Sequence, residues 1–395
     1  MKYCLFVTPF LPYPTGGGSA MRASVALEVL SSRFRVVVVH AELWAGRAGI
    51  FDEDWVRARC VAYFRVRPDR LQHIRTLVEE FLAGEPPGAV LDTVYAFRQS
   101  VAPMAMRCFD AGGARARVTL LDLDDDECGT KEQFAVLHEA AGDAVRAARI
   151  RTGLPQMNRF RSVLMPRFDH VFVAGSGDRD VLAARHPGIR IHHLPNAVRE
   201  PAGPRPDTVP HPGRMLFVGS LDYLPNEDAV AFFAREILPG LRRLDGRLTL
   251  RVAGVGHSPA LVPVAALPGV DFVGAVAELA AEYAAADAVV VPLRVGGGTR
   301  IKILEAFAHR APVVSTPKGA EGLGVVDGEH LLLAAPDAFA DACLRISSDP
   351  ALRRRLTTNA HGLVARHHSV DTVRGILAGC LGCGIDRPRG AAEPG

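Results

Sequence analysis

The sequence predicts an α/β protein made of two doubly wound, Rossmann-like domains that face each other across a cleft. Three observations carry this prediction. Short apolar strands alternate with helical spacing in both halves, a proline-rich stretch divides the halves, and each half contains a strand that runs into three consecutive glycines and then a helix. The chain has 395 residues, too many for one ordinary core. Hydrophobic residues make up 48% and charged residues 23%, the balance of a globular protein. A formal net charge of +3 is too small for a nucleic-acid binder.

Lys2 to Pro9 reads as a first strand with its exit loop; Pro9, Pro12 and Pro14 and the missing small-residue cleavage site argue against a signal peptide. Ser24 to Leu30 has helical spacing, and Phe34 to His40 is a buried strand. Further strands are expected at Ala89 to Ala96, Arg117 to Leu123, His170 to Ala174 and Ile189 to Leu194. They are continuous apolar runs because helices cover both faces of a parallel sheet. Arg199 to Gly213 holds five prolines and two glycines, a linker composition. The pattern then restarts with strands at Arg214 to Gly219, Leu248 to Ala253, Val270 to Gly274, Ala288 to Leu293 and Pro312 to Ser315. Helices are expected at Ala229 to Leu238 and Ile301 to His309. No apolar run reaches the length of a membrane span.

The strongest local signal is the stretch from Val291 to Ala306. A buried strand enters Gly296, Gly297 and Gly298, then Thr299 as a candidate N-cap, then an amphipathic helix. Glycines let a ligand approach the backbone, and the unpaired N–H groups of a helix start suit a phosphate. Arg300 and Lys302 oppose the helix dipole at a cost of roughly 0.3–1 kcal/mol each, which makes sense if a bound anion neutralises both. Glu305, one turn on, can accept two hydroxyl hydrogen bonds from a ribose diol; pairing with Lys302 or Arg300 is its other reading. Gly16, Gly17, Gly18, Ser19 and Arg22 repeat the form in the first half, with Arg22 at the same offset from Ser19 as Lys302 from Thr299. Two such loops, one per domain, point to a cleft in which both meet one anionic ligand; a mobile turn is the plain alternative for the first.

Residues Asp122 to Glu127 form an acidic run after a strand. An EF-hand loop fails, since its sixth position is Glu127 and its twelfth Gln133. Asp122 and Asp124 could form a DxD metal site of a single-domain GT-A transferase, but two α/β halves do not fit that architecture. The preferred reading has Asp124 and Asp125 facing the cleft and orienting an acceptor hydroxyl; a solvated acidic loop is the other. Gly254 and Gly256 resemble a dinucleotide fingerprint, yet Pro259 stands where its third glycine belongs. The seven cysteines are scattered and odd in number, which disfavours a disulfide framework and favours a reducing compartment. Cys380 and Cys383 form one CxxC without a second pair or a His at ligand spacing, so no metal is expected there.

The stretch from Gly296 to Leu323 resembles the C-terminal signature of retaining GT-B glycosyltransferases of the family-4 class, glycosyl transferases group 1, in its GGGTR variant. So do Phe217 to Ser220 with Leu224 to Asn226, and Leu194 to Ala197. The resemblance implies a GT-B fold of five parts. These are an acceptor-side domain over 1–198, a linker over 199–213, a nucleotide-sugar domain over 214–366, a helix over 367–383 crossing back to the first domain, and a disordered tail over 384–395. It implies sugar transfer from a nucleoside-diphosphate sugar to an acceptor hydroxyl with retention, in polysaccharide, glycolipid or specialised-metabolite synthesis. Glu305 matches the second glutamate of the family's pair; the first would fall at Gly297 and is absent, as is the Lys often found near Asn226. Arg300 and Lys302 then face the leaving diphosphate. Gly219 and Gly274 line the nucleotide, while the first glycine loop lies beside the diphosphate or acceptor. No metal and no cofactor beyond the nucleotide sugar is implied, and no nucleic-acid partner. A GT-B sugar epimerase and an inactive nucleotide-sugar-binding partner subunit are the alternatives.

Arg146, Arg149, Arg151, Arg159, Arg161 and Arg167 are interleaved with Leu154, Met157, Phe160, Val163 and Leu164. The segment reads either as a peripheral contact to the inner face of a membrane, for an otherwise cytoplasmic protein, or as a helix that solvates its arginines.

Overall fold

A computed structural model describes residues 1–43, 52–201, 211–276, 278–298 and 300–382. Thr299, most of the expected linker, Cys383 and the expected tail lie outside them. The first sheet contains β1 (Lys2–Thr8), β2 (Arg35–Ala41), β3 (Ala62–Val66), β4 (Val90–Phe97), β5 (Val118–Asp124), β6 (His170–Val173) and β7 (Ile191–His193). Their order is β3-β2-β1-β4-β5-β6-β7. The second contains β8 (Arg214–Val218), β9 (Thr249–Ala253), β10 (Val270–Gly274), β11 (Ala288–Val291), β12 (Val313–Ser315) and β13 (Leu332–Leu333), in the order β10-β9-β8-β11-β12-β13. Neighbouring strands pair in parallel throughout both sheets. The valine run of β2 shows why: Val36, Val37, Val38 and Val39 are all buried, so both faces of the sheet are covered.

In each sheet the winding reverses once, between β1 and β4 and between β8 and β11. The crevice outside the carboxyl ends of the strands at such a reversal is where open α/β sheets bind ligands. Both glycine loops leave from there, one after β1 and one after β11.

Two helices depart from the sequence reading. The helix expected over Ala229 to Leu238 begins earlier, as Leu224–Phe232, because Pro225 suits a first turn. It then passes through a π turn, Phe233–Ile237, into Leu238–Leu244. In the glycine loops the cap positions differ from those expected. The helix Gly18–Ser31 is capped by Gly17, with Ser19 inside its first turn. The helix Ile301–Ala308 has Arg300 at its cap position, and the Arg300 side chain does not bond the helix's free N–H groups.

The last helix, Val370–Gly382, packs on the first domain. Val373, Leu377, Cys380 and Leu381 share a core with Phe6, Tyr95, Leu120 and Phe172. Burying an apolar side chain of this size stabilises by about 1.5–3 kcal/mol. The chain is strapped as it crosses: the His368 ring meets the Asn196 carbonyl at 2.9 Å, and Val198 N–H donates to the His368 carbonyl at 3.0 Å.

Candidate active site

The two glycine loops face each other. A Cβ built on Gly18 would lie 3.0 Å from Ile301 Cδ1 of the opposite domain. The helix Glu127–Ala140 of the first domain lies against the second loop: Gly296 N–H donates to Gln133 at 3.0 Å, and the rings of Phe134 and Tyr223 meet edge to face at 5.9 Å. Gly297 needs no unusual backbone angle among the glycines of positive φ, yet a Cβ there would fall 1.6 Å from Thr130 Oγ1 and 3.0 Å from Asp125 Oδ2. Its small size is therefore a matter of space between domains. Gly296 and Gly298 differ, with φ of 124° and 67°, a backbone that other residues adopt at a cost.

Neither Arg300 nor Lys302 points into open solvent. Arg300 is 6% exposed and folds back onto its own loop, donating to the carbonyls of Gly297 and Gly298, to Gly296 at 2.9 Å and to Lys318 at 3.3 Å. Its buried Nε has no partner among the described residues. Lys302 donates to Asn226 Oδ1 at 2.7 Å, and its ammonium stands 4.0 Å from the centre of the Phe217 ring. Among the described residues neither cation has a carboxylate within ion-pair distance. Buried charges are ordinarily paired, because desolvation costs several kcal/mol per ion. Burial accordingly pushes the Arg300 guanidinium below its ordinary value and Lys302 down to about 7, with the Arg300 charge adding to the effect on Lys302. Burial pushes Glu305 up to about 7, with Lys302 opposing, and its carboxylate has no hydrogen-bond partner among the described residues. Two cations without a carboxylate partner and one carboxylate without a hydrogen-bond partner thus lie in electrostatic reach of one another at the start of one helix, a set suited to a ligand that carries both an anion and a diol.

The strand ends beneath them are glycines for a visible reason. A Cβ on Gly219 would lie 2.8 Å from Lys302 Nζ and 2.7 Å from Asn226 Nδ2, and one on Gly254 would lie 1.8 Å from the Gly219 carbonyl oxygen. Gly274 continues this floor by accepting from Gly254 N–H at 2.8 Å.

Arg22 corrects the symmetry drawn from the sequence. It is 5% exposed and fully engaged: Nε and Nη2 grip Asp122 at 2.9 Å, and Nη1 donates to the Leu194 carbonyl and to Asn196 Oδ1, each at 2.9 Å. Asp122 also accepts from the Tyr95 hydroxyl at 2.7 Å, so it belongs to the core and not to a DxD metal site. The other aspartates of the run are likewise paired with arginines, and Glu127 with Lys131 at 3.4 Å. Arg98 holds Asp124 at 3.0 Å and Asp125 at 2.8 Å, and the buried Arg161 pairs with Asp126. Asp124 and Asp125 do border the cleft. Asp124 lies 3.4 Å from Ser19 Oγ and has a left-handed φ of 67°; burial pushes its carboxyl up against the pull of Arg98 and Arg22. Asp125 accepts from Thr130 at 3.0 Å and stands against the second glycine loop. Sequence reasoning did not find Arg98, Thr130, Gln133 or Tyr223. Only Arg98 left a trace, as a charged residue straight after a strand.

Residues 212–349 match the family model described as Glycosyl transferases group 1. The second half of the chain is thus similar to a group 1 glycosyl transferase domain, and the fold is GT-B. The GT-B likeness extends over nearly the whole chain. A glycosyltransferase from Rickettsia africae matches at 12% identity and a TM-score of 0.65, covering 96% of this chain and 97% of that one. HepE from Anabaena, in complex with UDP and glucose, matches at 14% identity and a TM-score of 0.64, covering 96% and 99%. A TarM structure matches at 12% identity and a TM-score of 0.61, covering 79% of this chain and 58% of TarM, so the chain spans little more than half of that relative's length. No curated protein matches the sequence.

Proposed function

We propose that the protein is a retaining glycosyltransferase of the family-4 class. It would transfer a sugar from a nucleoside-diphosphate sugar to an acceptor hydroxyl, in polysaccharide, glycolipid or specialised-metabolite synthesis. The observation that carries the reading is the pair of enclosed cations, Arg300 and Lys302, with no carboxylate to neutralise them. A diphosphate supplies that charge, and its charge grows as the sugar leaves, which is when such cations stabilise most. Glu305 then holds the ribose, Gly296 to Gly298 and Thr299 line the donor, and Gly219 and Gly274 form the nucleotide's floor. Asp124 and Asp125, steadied by Arg98, orient the acceptor hydroxyl beside Gly16, Gly17, Gly18 and Ser19, and the leaving phosphate takes the acceptor's proton. Arg22 acts as a positioning residue beneath that loop. No divalent cation is needed at the acidic run, because its aspartates are already paired with arginines; added Mg²⁺ or Mn²⁺ should leave turnover unchanged.

The test is a thermal-shift screen against UDP, GDP, dTDP and ADP sugars, followed by transfer assays with the binding donor. Loss of binding and transfer in Arg300→Ala is expected; unchanged turnover would sink the assignment. Free epimerised nucleotide sugar without acceptor would mark an epimerase. Tight binding with no transfer to any acceptor would mark an inactive partner subunit.

A peripheral contact with the inner face of a membrane belongs to the same proposal. No helix among the described residues is long and apolar enough to cross a membrane. Exposed Val145, Phe160 and Val163 lie among the arginines of the helix Ala144–Leu164 and favour the contact, whereas Arg151 is spent on Glu132 and Glu139. Sedimentation with anionic vesicles, and its loss in Phe160→Ser with Val163→Ser, would test it.

A further inference from the structure

The CxxC of the sequence has no His at ligand spacing, but the fold brings two histidines to Cys380. His170 opens β6, and the parallel register sets His192 of β7 opposite Phe172. Side chains alternate along a strand, so His170, Phe172 and His192 share one face of the sheet. The helix Val370–Gly382 packs on that face, with Cys380 in the same core as Phe172. One nitrogen from each ring and the Cys380 sulfur all lie within 4.8 Å of one another. The rings themselves approach to 2.9 Å, His170 Nδ1 to His192 Nε2. His170 is 4% exposed, and its Nε2 has no hydrogen-bond partner among the described residues. Coordination through Nε2 would give this costly buried nitrogen a partner and leave the Nδ1 contact with His192 in place.

We propose that His170, His192 and Cys380 form a binding site for a divalent transition-metal ion, with zinc the best fit. Imidazole and thiolate ligands both suit zinc, and three protein ligands leave the fourth tetrahedral position to water. On binding, the Cys380 thiol releases its proton to solvent and the sulfur takes the metal, while each ring gives a lone pair and no electron is transferred. The site lies at the amino end of β6, whereas the glycine loops and acidic run lie beyond the carboxyl ends of the strands, so its role is to pin the last helix to the first domain.

The test uses the full chain, stripped with a chelator and titrated with Co²⁺. Binding of one ion per chain is expected, with a thiolate-to-cobalt charge-transfer band that added Zn²⁺ abolishes. The band should vanish in Cys380→Ser, and His192→Gln should weaken Co²⁺ binding by at least about tenfold. Zinc should also raise the melting temperature of the stripped wild-type chain and not that of Cys380→Ser. A wild-type protein that binds cobalt without a thiolate band, or in no fixed proportion, overturns the proposal. So does a band that survives in Cys380→Ser, which would assign the thiolate to another cysteine.

Discussion

The loops Gly16 to Gly18 and Gly296 to Gly298 have the same written form: a parallel strand, three glycines and a helix with a cation at the same offset. In the first domain Asp122 rises from β5 to meet Arg22, and Leu194 and Asn196 take its remaining donors. In the second domain no carboxylate among the described residues comes within ion-pair distance of Lys302; Asn226 and the Phe217 ring are its contacts, and Glu305 acts on it only from farther off. A cation after a glycine loop is thus either a rivet or a socket. The outcome is decided by residues about 100 positions away and not by the loop itself.

Four experiments would break or sharpen this contrast. The largest effect is expected from Arg22→Met, which strands Asp122 in the core and should cost about 3–5 kcal/mol in denaturant unfolding. Lys302→Met should do the reverse: transfer falls by about 10²–10³-fold, while the unliganded protein melts no lower than wild type, because a desolvated and unpaired charge has been removed. If Lys302→Met destabilised as Arg22→Met does, the two loops would be alike after all. Gly297→Ala should cost about 1–3 kcal/mol by driving a methyl into Thr130, and Thr130→Gly in the same chain should recover most of it. The smallest effect is in pH. Above about 7 the unliganded Lys302 has lost its proton, so binding a nucleoside diphosphate must take one up. Below that point affinity should weaken as Glu305, itself pushed up to about 7, gains a proton, and above it affinity by calorimetry should fall about tenfold per pH unit. In Glu305→Gln the fall should begin at lower pH, since the carboxylate that favours the ammonium is gone, and in Lys302→Met it should be absent.

Much of this was legible in the chain, and the failures have physical reasons. Strands with both faces covered, such as Val36 to Val39, show as unbroken apolar runs. By contrast, β3 is an edge strand whose Ala62, Tyr63 and Phe64 are half-exposed, and β13 has only two residues, so neither carries a period. Arg300 and Lys302 were legible because cations at a helix start oppose its dipole. The arginine partners of the acidic run were not, because Arg22, Arg98 and Arg161 reach it only through sheet order. Thr130, Gln133 and Tyr223 matter where one domain lies against the other, and no local pattern marks them. The histidines near Cys380 were hidden for the same reason, lying about 200 residues away along the chain.

The crossing of the last helix onto the first domain bears on engineering. A chimera that exchanges the second domain between two proteins of this architecture cannot be spliced at a single point. The segment around Val373, Leu377, Cys380 and Leu381 must stay with the parent that supplies residues 1–198, or the recipient will display an uncovered oily face and aggregate.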